Sequence, residues 1–222
     1  MMKVSDYVAK FIQRQGVRDV FLLPGGGCIH LVDSIGKSSL NFICNLHEQA
    51  CSIAADAYGQ YTNNIGVCLV TTGPGGTNAM TGLAAAWLDS TPMLVLSGQV
   101  QKKDMIGGRG TRQIGFQEID MVSVVKPLTK YAITVLEPTE IRYCLEKAVY
   151  LAKSGRPGPV WVDIPLDVQA CLIDENEIEG YIPESEGEHD IQEVVSNVID
   201  DLNRSERPVI LAGNGIRLSG SI

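Results

Sequence analysis

The apolar positions of this chain switch repeatedly between helical and strand spacing. Val4, Val8, Phe11 and Ile12 recur at helical intervals and predict a first helix that stops at Gly16. Residues 19–23 then form a short apolar run ending in Pro24-Gly25-Gly26-Gly27, a tight turn through which the backbone can closely approach a neighbour. Ile29, Leu31, Val32 and Ile35 predict a short helix, and residues 40–44 a second strand. Ala50, Ile53, Ala54, Ala57, Tyr58 and Tyr61 predict an amphipathic helix of about four turns with Glu48 in its first turn. A third strand at 66–72 leads through the turn 73–78 into a helix of small residues at 79–88, and a fourth strand follows at 91–97. Periodicity lapses over 98–119. A strand at 128–135 restores it, followed by a Pro-started helix at 138–154 with Ile141, Leu145, Ala148, Val149 and Ala152 on its buried face. Gly155-Arg156-Pro157-Gly158 stops that helix before a last strand at 159–165. Strands apolar on both faces and alternating with helices predict an α/β fold, a parallel sheet covered by helices on both sides.

Beyond residue 166 the chain turns acidic and is interrupted by Pro and Gly, as a linker is. The pattern therefore divides into a domain over 1–170, a linker over 171–190 and the beginning of a second α/β domain over 191–222. In that last part, an amphipathic helix at 191–202 precedes a predicted strand and glycine turn at 207–215. One helix and one strand do not bury a core, so the expectation is the N-terminal part of a longer protein, or a subunit completed elsewhere. A net charge of -8, from 18 Lys and Arg against 26 Asp and Glu, argues against nucleic acid as a partner. The six cysteines are scattered singly without metal-ligand spacing and read as reduced core residues. No apolar segment resembles a signal sequence or approaches the roughly 20 residues that span a bilayer, so no membrane partner is expected, and the expected compartment is the cytoplasm.

The candidate chemistry collects at strand ends. The glycine turns at 24–27 and 73–78 and the acid Glu48 follow three successive strands, along the edge where parallel sheets bind ligands. The turn at 73–78 presents backbone amides suited to an anion, but it lacks a Walker lysine, and neither turn fits G-x-G-x-x-G. Glu48 has a plain alternative: a capping box in which Asn45 accepts from the amide of residue 48 and Glu48 reaches back. His47 beside the cap reads as structural, and His30 and His189 carry no recognisable partners. Residues 107–112, with three glycines, Arg109 and Arg112, form a loop shaped to close over an anion or a solvated surface loop.

Seven stretches, taken together and in order, resemble a known family: Phe-Leu-Leu-Pro-Gly-Gly (21–26), His-Glu-Gln-Ala (47–50), Ala-Ala-Asp-Ala-Tyr-Gly (54–59), Val-Thr-Thr-Gly-Pro-Gly-Gly-Thr-Asn (70–78), Ala-Trp-Leu-Asp-Ser-Thr-Pro-Met (86–93), Gly-Phe-Gln-Glu-Ile-Asp (115–120) and Ser-Gly-Arg-Pro-Gly-Pro-Val (154–160). They look like the pyrimidine-binding domain of thiamine-diphosphate enzymes, most closely that of the large catalytic subunit of acetolactate synthase. The likeness covers about residues 1–170, and the tail from Arg207 resembles the opening of that family's central domain.

By this resemblance Glu48 is the activating catalytic glutamate, its carboxyl bonded to a pyrimidine nitrogen so that the neighbouring amino group becomes basic enough to deprotonate the thiazolium carbon. Pro24, Gly25, Glu48, Thr72, Pro74 and Asn78 are implied at the cofactor, and Phe116, Gln117 and Lys130 near the substrate. The implied reaction joins a two-carbon unit from a 2-oxo acid, pyruvate, to an acceptor carbonyl. Mg²⁺ is implied with its ligands outside this chain, because the Gly-Asp-Gly motif followed by Asn is missing from these residues; no metal site is expected here. Whether FAD is bound stays open, since the flavin contacts would lie mainly in the central domain. A homodimer or homotetramer is implied, and the small-residue helix at 79–88 is suited to close helix approach between subunits. One departure bears on the acceptor: residues 107–114 lengthen the connection before the Phe-Gln pair and add Arg109 and Arg112. A relative acting on a nucleotide-linked sugar, and a non-catalytic interaction module of the same fold, are the alternatives.

Overall fold

The computed structural model describes residues 1–184 and 191–221, in two compact units, Met1–Ile182 and Pro183–Ile222. Of the stretch expected to be linker, residues 185–190, including His189, lie outside the described residues. The first unit runs β1 (Met2–Lys3), α1 (Val4–Arg14), β2 (Asp19–Leu22), α2 (Ile29–Lys37), β3 (Asn41–Cys44), α3 (Glu48–Thr62), β4 (Gly66–Val70), α4 (Pro74–Asn78), α5 (Met80–Asp89) and β5 (Met93–Gln99). It continues with α6 (Met121–Val125), β6 (Tyr131–Thr134), α7 (Ile141–Lys153), β7 (Pro159–Pro165), α8 (Leu166–Ala170) and β8 (Leu172–Ile173). The expected parallel sheet is present. It has six strands in the order β3-β2-β4-β5-β7-β6, every pair parallel.

The central strands β4, β5 and β7 are buried along their whole length, which is why they read as unbroken apolar runs. Their alternate residues feed two cores. Val67, Leu69, Leu94, Leu96, Val160 and Val162 face the layer that includes α1, α2 and α7. Cys68, Val70, Met93, Val95 and Trp161 face the layer that includes α3, α5 and α6.

The orientation of α3 differs from the one its apolar spacing predicts. Its buried side is Cys51, Ser52, Ala55, Asp56 and Gly59, whereas Ile53 is 45% and Tyr61 92% exposed. The reason is room. A Cβ on Gly66 of β4 would meet the Ala55 carbonyl oxygen at 1.9 Å, and one on Gly82 of α5 would meet the Ser52 hydroxyl at 2.3 Å. Only a small-residue face fits between those elements, so size overrides hydrophobicity. Within the chain, Gly82 of α5 packs against Ser52 and Ile53 of α3.

The acidic stretch after residue 171, which composition marks as linker, is tied to the first unit up to Ile182. β8 pairs antiparallel with β1, Glu175 takes ion pairs from Lys10 (2.6 Å) and Arg14 (3.1 Å), and Ile178 is buried. In the second unit α9 (Gln192–Arg204) and α10 (Gly215–Leu218) form, but the strand expected from 207 does not. Val209, Ile210 and Leu211 are exposed at 90%, 78% and 97%. A strand is stabilised by its neighbours' hydrogen bonds, and no second strand is present among the described residues of this unit. Among the described residues no helix is long and apolar enough to cross a membrane.

Candidate active site

Because the sheet is parallel, the turns after β2, β4 and β5 and the start of α3 after β3 all emerge along one edge. They are in van der Waals contact there. A Cβ on Gly25 would stand 2.5 Å from the Thr71 side chain, and one on Gly27 2.1 Å from the Thr72 hydroxyl. Gly27 N–H donates to Thr71 Oγ1 at 3.1 Å, the Thr72 hydroxyl donates to the Gly98 carbonyl at 3.0 Å, and the Gln169 amide donates to the Gly27 carbonyl at 2.7 Å. Glycine is required at these points by contact, and the result is a rigid floor made of three strand ends.

Glu48 opens α3 on this floor. The capping box does not form: His47 is the N-cap, its Nδ1 accepting from Gln49 N–H at 3.1 Å. That leaves the Glu48 side chain without a capping duty. It is 8% exposed, and its Oε2 accepts from Asn78 Nδ2 at 2.9 Å. A Cβ on Gly75 would stand 3.3 Å from the other oxygen, Oε1. The absence of that Cβ keeps Oε1 accessible beside α4, whose first residue is Pro74.

A third wall comes from the segment after β5. Gly73 has φ +57°, and an added Cβ would lie 1.8 Å from the Gln117 carbonyl oxygen, so this segment is pressed onto the β4 turn. Gln117 itself has φ 61°, a strained value for a residue with a side chain. Its neighbour Phe116 is 82% exposed. The structure thus brings Pro24, Gly25, Glu48, Thr72, Pro74, Asn78, Phe116 and Gln117 to one edge of the sheet. Lys130 is elsewhere. It precedes β6, at the N-terminal and therefore opposite edge, where its backbone N–H bonds the Pro159 carbonyl and its amine donates to the Ser154 carbonyl at 2.6 Å.

Two acids to which sequence reading assigned no role prove to organise this edge. Glu118, 9% exposed, accepts from the amides of Ile106 (2.5 Å), Ile114 (3.4 Å) and Gly115 (3.4 Å), clasping the two ends of the arginine loop. Asp163 on β7 is 1% exposed and receives the Ser97 hydroxyl, the Gln99 amide (3.1 Å) and the Thr134 hydroxyl (3.3 Å). Burial pushes its pKa up to about 7, against the lowering pull of these donors. The Gln99 amide also donates to the Ile119 carbonyl at 3.0 Å, so the buried carboxyl orients the group that holds the segment carrying Gln117. The Asp163 donors come from 29 to 66 residues away in sequence, whereas Glu118 takes amides 3, 4 and 12 residues before it. Among the described residues no group of three or more His, Cys, Asp or Glu is placed to hold a metal ion.

A buried glutamate on a glycine-lined edge of a parallel α/β sheet places a hydrogen-bonding carboxyl at the edge where such sheets bind ligands. Residues 2–124 match the family described as thiamine pyrophosphate enzyme, N-terminal TPP binding domain, and the chain belongs to that family. It is similar to a probable acetolactate synthase large subunit of Methanocaldococcus jannaschii, with 38% identity over 99% of this chain and 37% of the relative. It is likewise similar to the acetolactate synthase large subunit of Lactococcus lactis subsp. lactis (38% identity, 98% of this chain, 37% of the relative). Acetolactate synthase 2, chloroplastic, of Zea mays is 38% identical over 98% of this chain and 34% of its own length. The chain spans just over a third of the length of these relatives.

Proposed function

We propose that this chain is the pyrimidine-binding part of a thiamine-diphosphate-dependent, acetolactate-synthase-like carboligase that joins a pyruvate-derived two-carbon unit to an acceptor carbonyl. The observation that carries the reading is Glu48: a buried carboxyl with one oxygen fixed by Asn78 and the other left beside a glycine. The fit to the cofactor's ring rests on the same feature. Gly75 leaves the space that a side chain would fill, and Glu48 offers a carboxyl oxygen able to share a proton with a ring nitrogen. When bound, the cofactor supplies the carbanion and electron sink that decarboxylation and carbon–carbon bond formation require.

The chain's own residues bind and orient. Asn78 holds the Glu48 carboxyl in one rotamer, Thr72 and the turns of Gly25 and Gly73 set the depth of the floor, and Phe116 and Gln117 border the substrate side. With the cofactor in place, Glu48 would offer Oε1 as the hydrogen-bonding partner of a ring nitrogen while Asn78 keeps Oε2 fixed. Mg²⁺ belongs with the diphosphate, on residues outside this chain. Exposed apolar residues of this unit support an assembled enzyme: Leu46, just before α3, is 100%, Ile29 at the start of α2 56% and Phe42 on the edge strand β3 53% exposed. Such exposure favours association into a dimer or tetramer.

The test is Glu48→Gln in the full-length enzyme. Turnover falls by roughly two orders of magnitude or more, the range of a positioned acid-base group, with the fold unchanged by circular dichroism. Carboligation at the wild-type rate in that variant would remove Glu48 from the chemistry and leave the interaction-module reading.

A further inference from the structure

The arginine loop has no role in the reading above, yet it is built into the same edge. Its ends are clasped by the Glu118 carboxylate through the amides of Ile106, Ile114 and Gly115, and Gly115 is packed so tightly that a Cβ would meet Val100 at 2.7 Å. Between these fixed ends the apex at 107–112 is exposed throughout. Gly107, Gly108 and Gly110 take φ of +50°, +78° and +74°, so the chain's course there favours glycine through its backbone angles and not through crowding. The apex holds Arg109 and Arg112, on either side of a glycine and a threonine, and the chain runs from it directly to Gln117, which touches Gly73 in the floor of the site.

Charge decides what such a loop meets. Residues 101–118 contain Lys102, Lys103, Arg109 and Arg112 against Asp104 and Glu118, in a chain whose net charge is -8. Lys102 is engaged with Glu137 at 3.7 Å and with the Leu136 carbonyl at 2.9 Å. Arg109 directs one N–H to the Lys103 carbonyl at 3.3 Å, and the Lys103 amine and Arg112 guanidinium have no acid partner among the described residues. Arg109 and Arg112 are the exposed cations within the loop, and the carboxylate at its base, Glu118, is occupied by the backbone amides of Ile106, Ile114 and Gly115. Guanidinium forks match the tetrahedral oxygens of phosphate.

Resting on the proposed carboligase reading, we infer that the loop 106–115 is a phosphate-binding flap that selects an acceptor carrying a phosphate or diphosphate group, with Arg109 and Arg112 as its ligands. The acceptor's carbonyl then lies toward Phe116 and Gln117, and its anionic end under the loop. Specificity is thereby moved from the 2-oxo acid's carboxylate to a group farther from the reacting carbon. Glu118 is the positioning residue that holds the loop's two ends together.

The test uses the full-length protein preloaded with thiamine diphosphate and Mg²⁺, so that the cofactor's own diphosphate site is filled. Inorganic pyrophosphate is titrated by calorimetry into the wild type, Arg109→Ala/Arg112→Ala and Arg109→Lys/Arg112→Lys. The wild type binds saturably, the alanine pair at least about tenfold more weakly, and the lysine pair in between, because charge is kept but the fork is lost. In turnover, the wild type prefers a phosphorylated acceptor aldehyde over its unphosphorylated counterpart, and the alanine pair loses that preference through KM. Undetectable pyrophosphate binding, or equal binding in wild type and alanine pair, overturns the proposal. So does a parallel loss of thiamine diphosphate affinity in the alanine pair, which assigns the arginines to the cofactor instead. If no decarboxylation occurs in any variant but pyrophosphate binding still depends on the arginines, the carboligase reading falls and the anion site stands.

Discussion

Two buried carboxylates in this molecule have opposite surroundings. Asp163 lies mid-sheet on β7 with Ser97, Gln99 and Thr134 all donating to it, and Trp161 Nε1 in turn bonds the Ser97 hydroxyl at 2.7 Å. Glu48 lies at the sheet's edge with one donor, Asn78. The first is a closed network in which both carboxyl oxygens have internal partners. The second is left half-satisfied at a place where glycines hold space open. The closed network is where structure is maintained, and the carboxyl with one oxygen beside Gly75 is the one placed to meet a ligand.

Removing each carboxyl sharpens that contrast. Asp163→Ala leaves three donors without their acceptor and lowers the stability of the full-length protein by about 3 kcal/mol or more, read as a lower urea midpoint. Glu48→Gln keeps the urea midpoint near that of the wild type and lowers turnover by roughly a hundredfold, about 2.7 kcal/mol of barrier. The comparison breaks if the two effects are exchanged, with Glu48→Gln unfolding the protein and Asp163→Ala merely slowing it.

The pH dependence of stability separates the two further. The Asp163 pKa is raised, to about 7 from an ordinary 3.8, chiefly by burial. Between those values the folded state keeps a proton that the unfolded state has released. This carboxyl therefore favours folding most at the acid end of that window, and the contribution is lost as pH rises through the folded pKa. The expected fall is on the order of a few kcal/mol. Asp163→Asn flattens the profile across the window between the two pKa values, and a wild type whose urea midpoint does not decline there contradicts the assignment.

Smaller effects test the floor and the cap. Gly73→Ala forces a side chain into φ +57° and onto the Gln117 carbonyl, costing about 1–3 kcal/mol in backbone strain. Its specific mark is weaker acceptor use, since the segment bearing Gln117 must move away. His47→Ala removes the N-cap acceptor of α3 and costs about 1 kcal/mol of stability, with turnover changed only a few-fold because the Glu48 carboxyl is held by Asn78. A hundredfold loss of rate in His47→Ala would show that cap and chemistry are not separate.

What the sequence by itself determined is the alternation of strands and helices, the parallel class of the sheet and the edge where the site lies. Apolar runs between glycine turns carry that information locally, and parallel order sends every turn after a strand to the same side. It also singled out Glu48, through the company of the Pro24 and Gly73 turns. Only the tertiary structure decided which face of α3 is buried, because the closeness of Gly66 and Gly82 is a distance between elements and outranks hydrophobic spacing. It alone put Lys130 at the far edge of the sheet and left residues 207–211 without strand pairing. It alone revealed Glu118 and Asp163 as organisers. The Asp163 partners are polar side chains 29 to 66 residues away, gathered by folding, while Glu118 takes backbone amides from the loop just before it, which depends on the loop's course rather than on residue type.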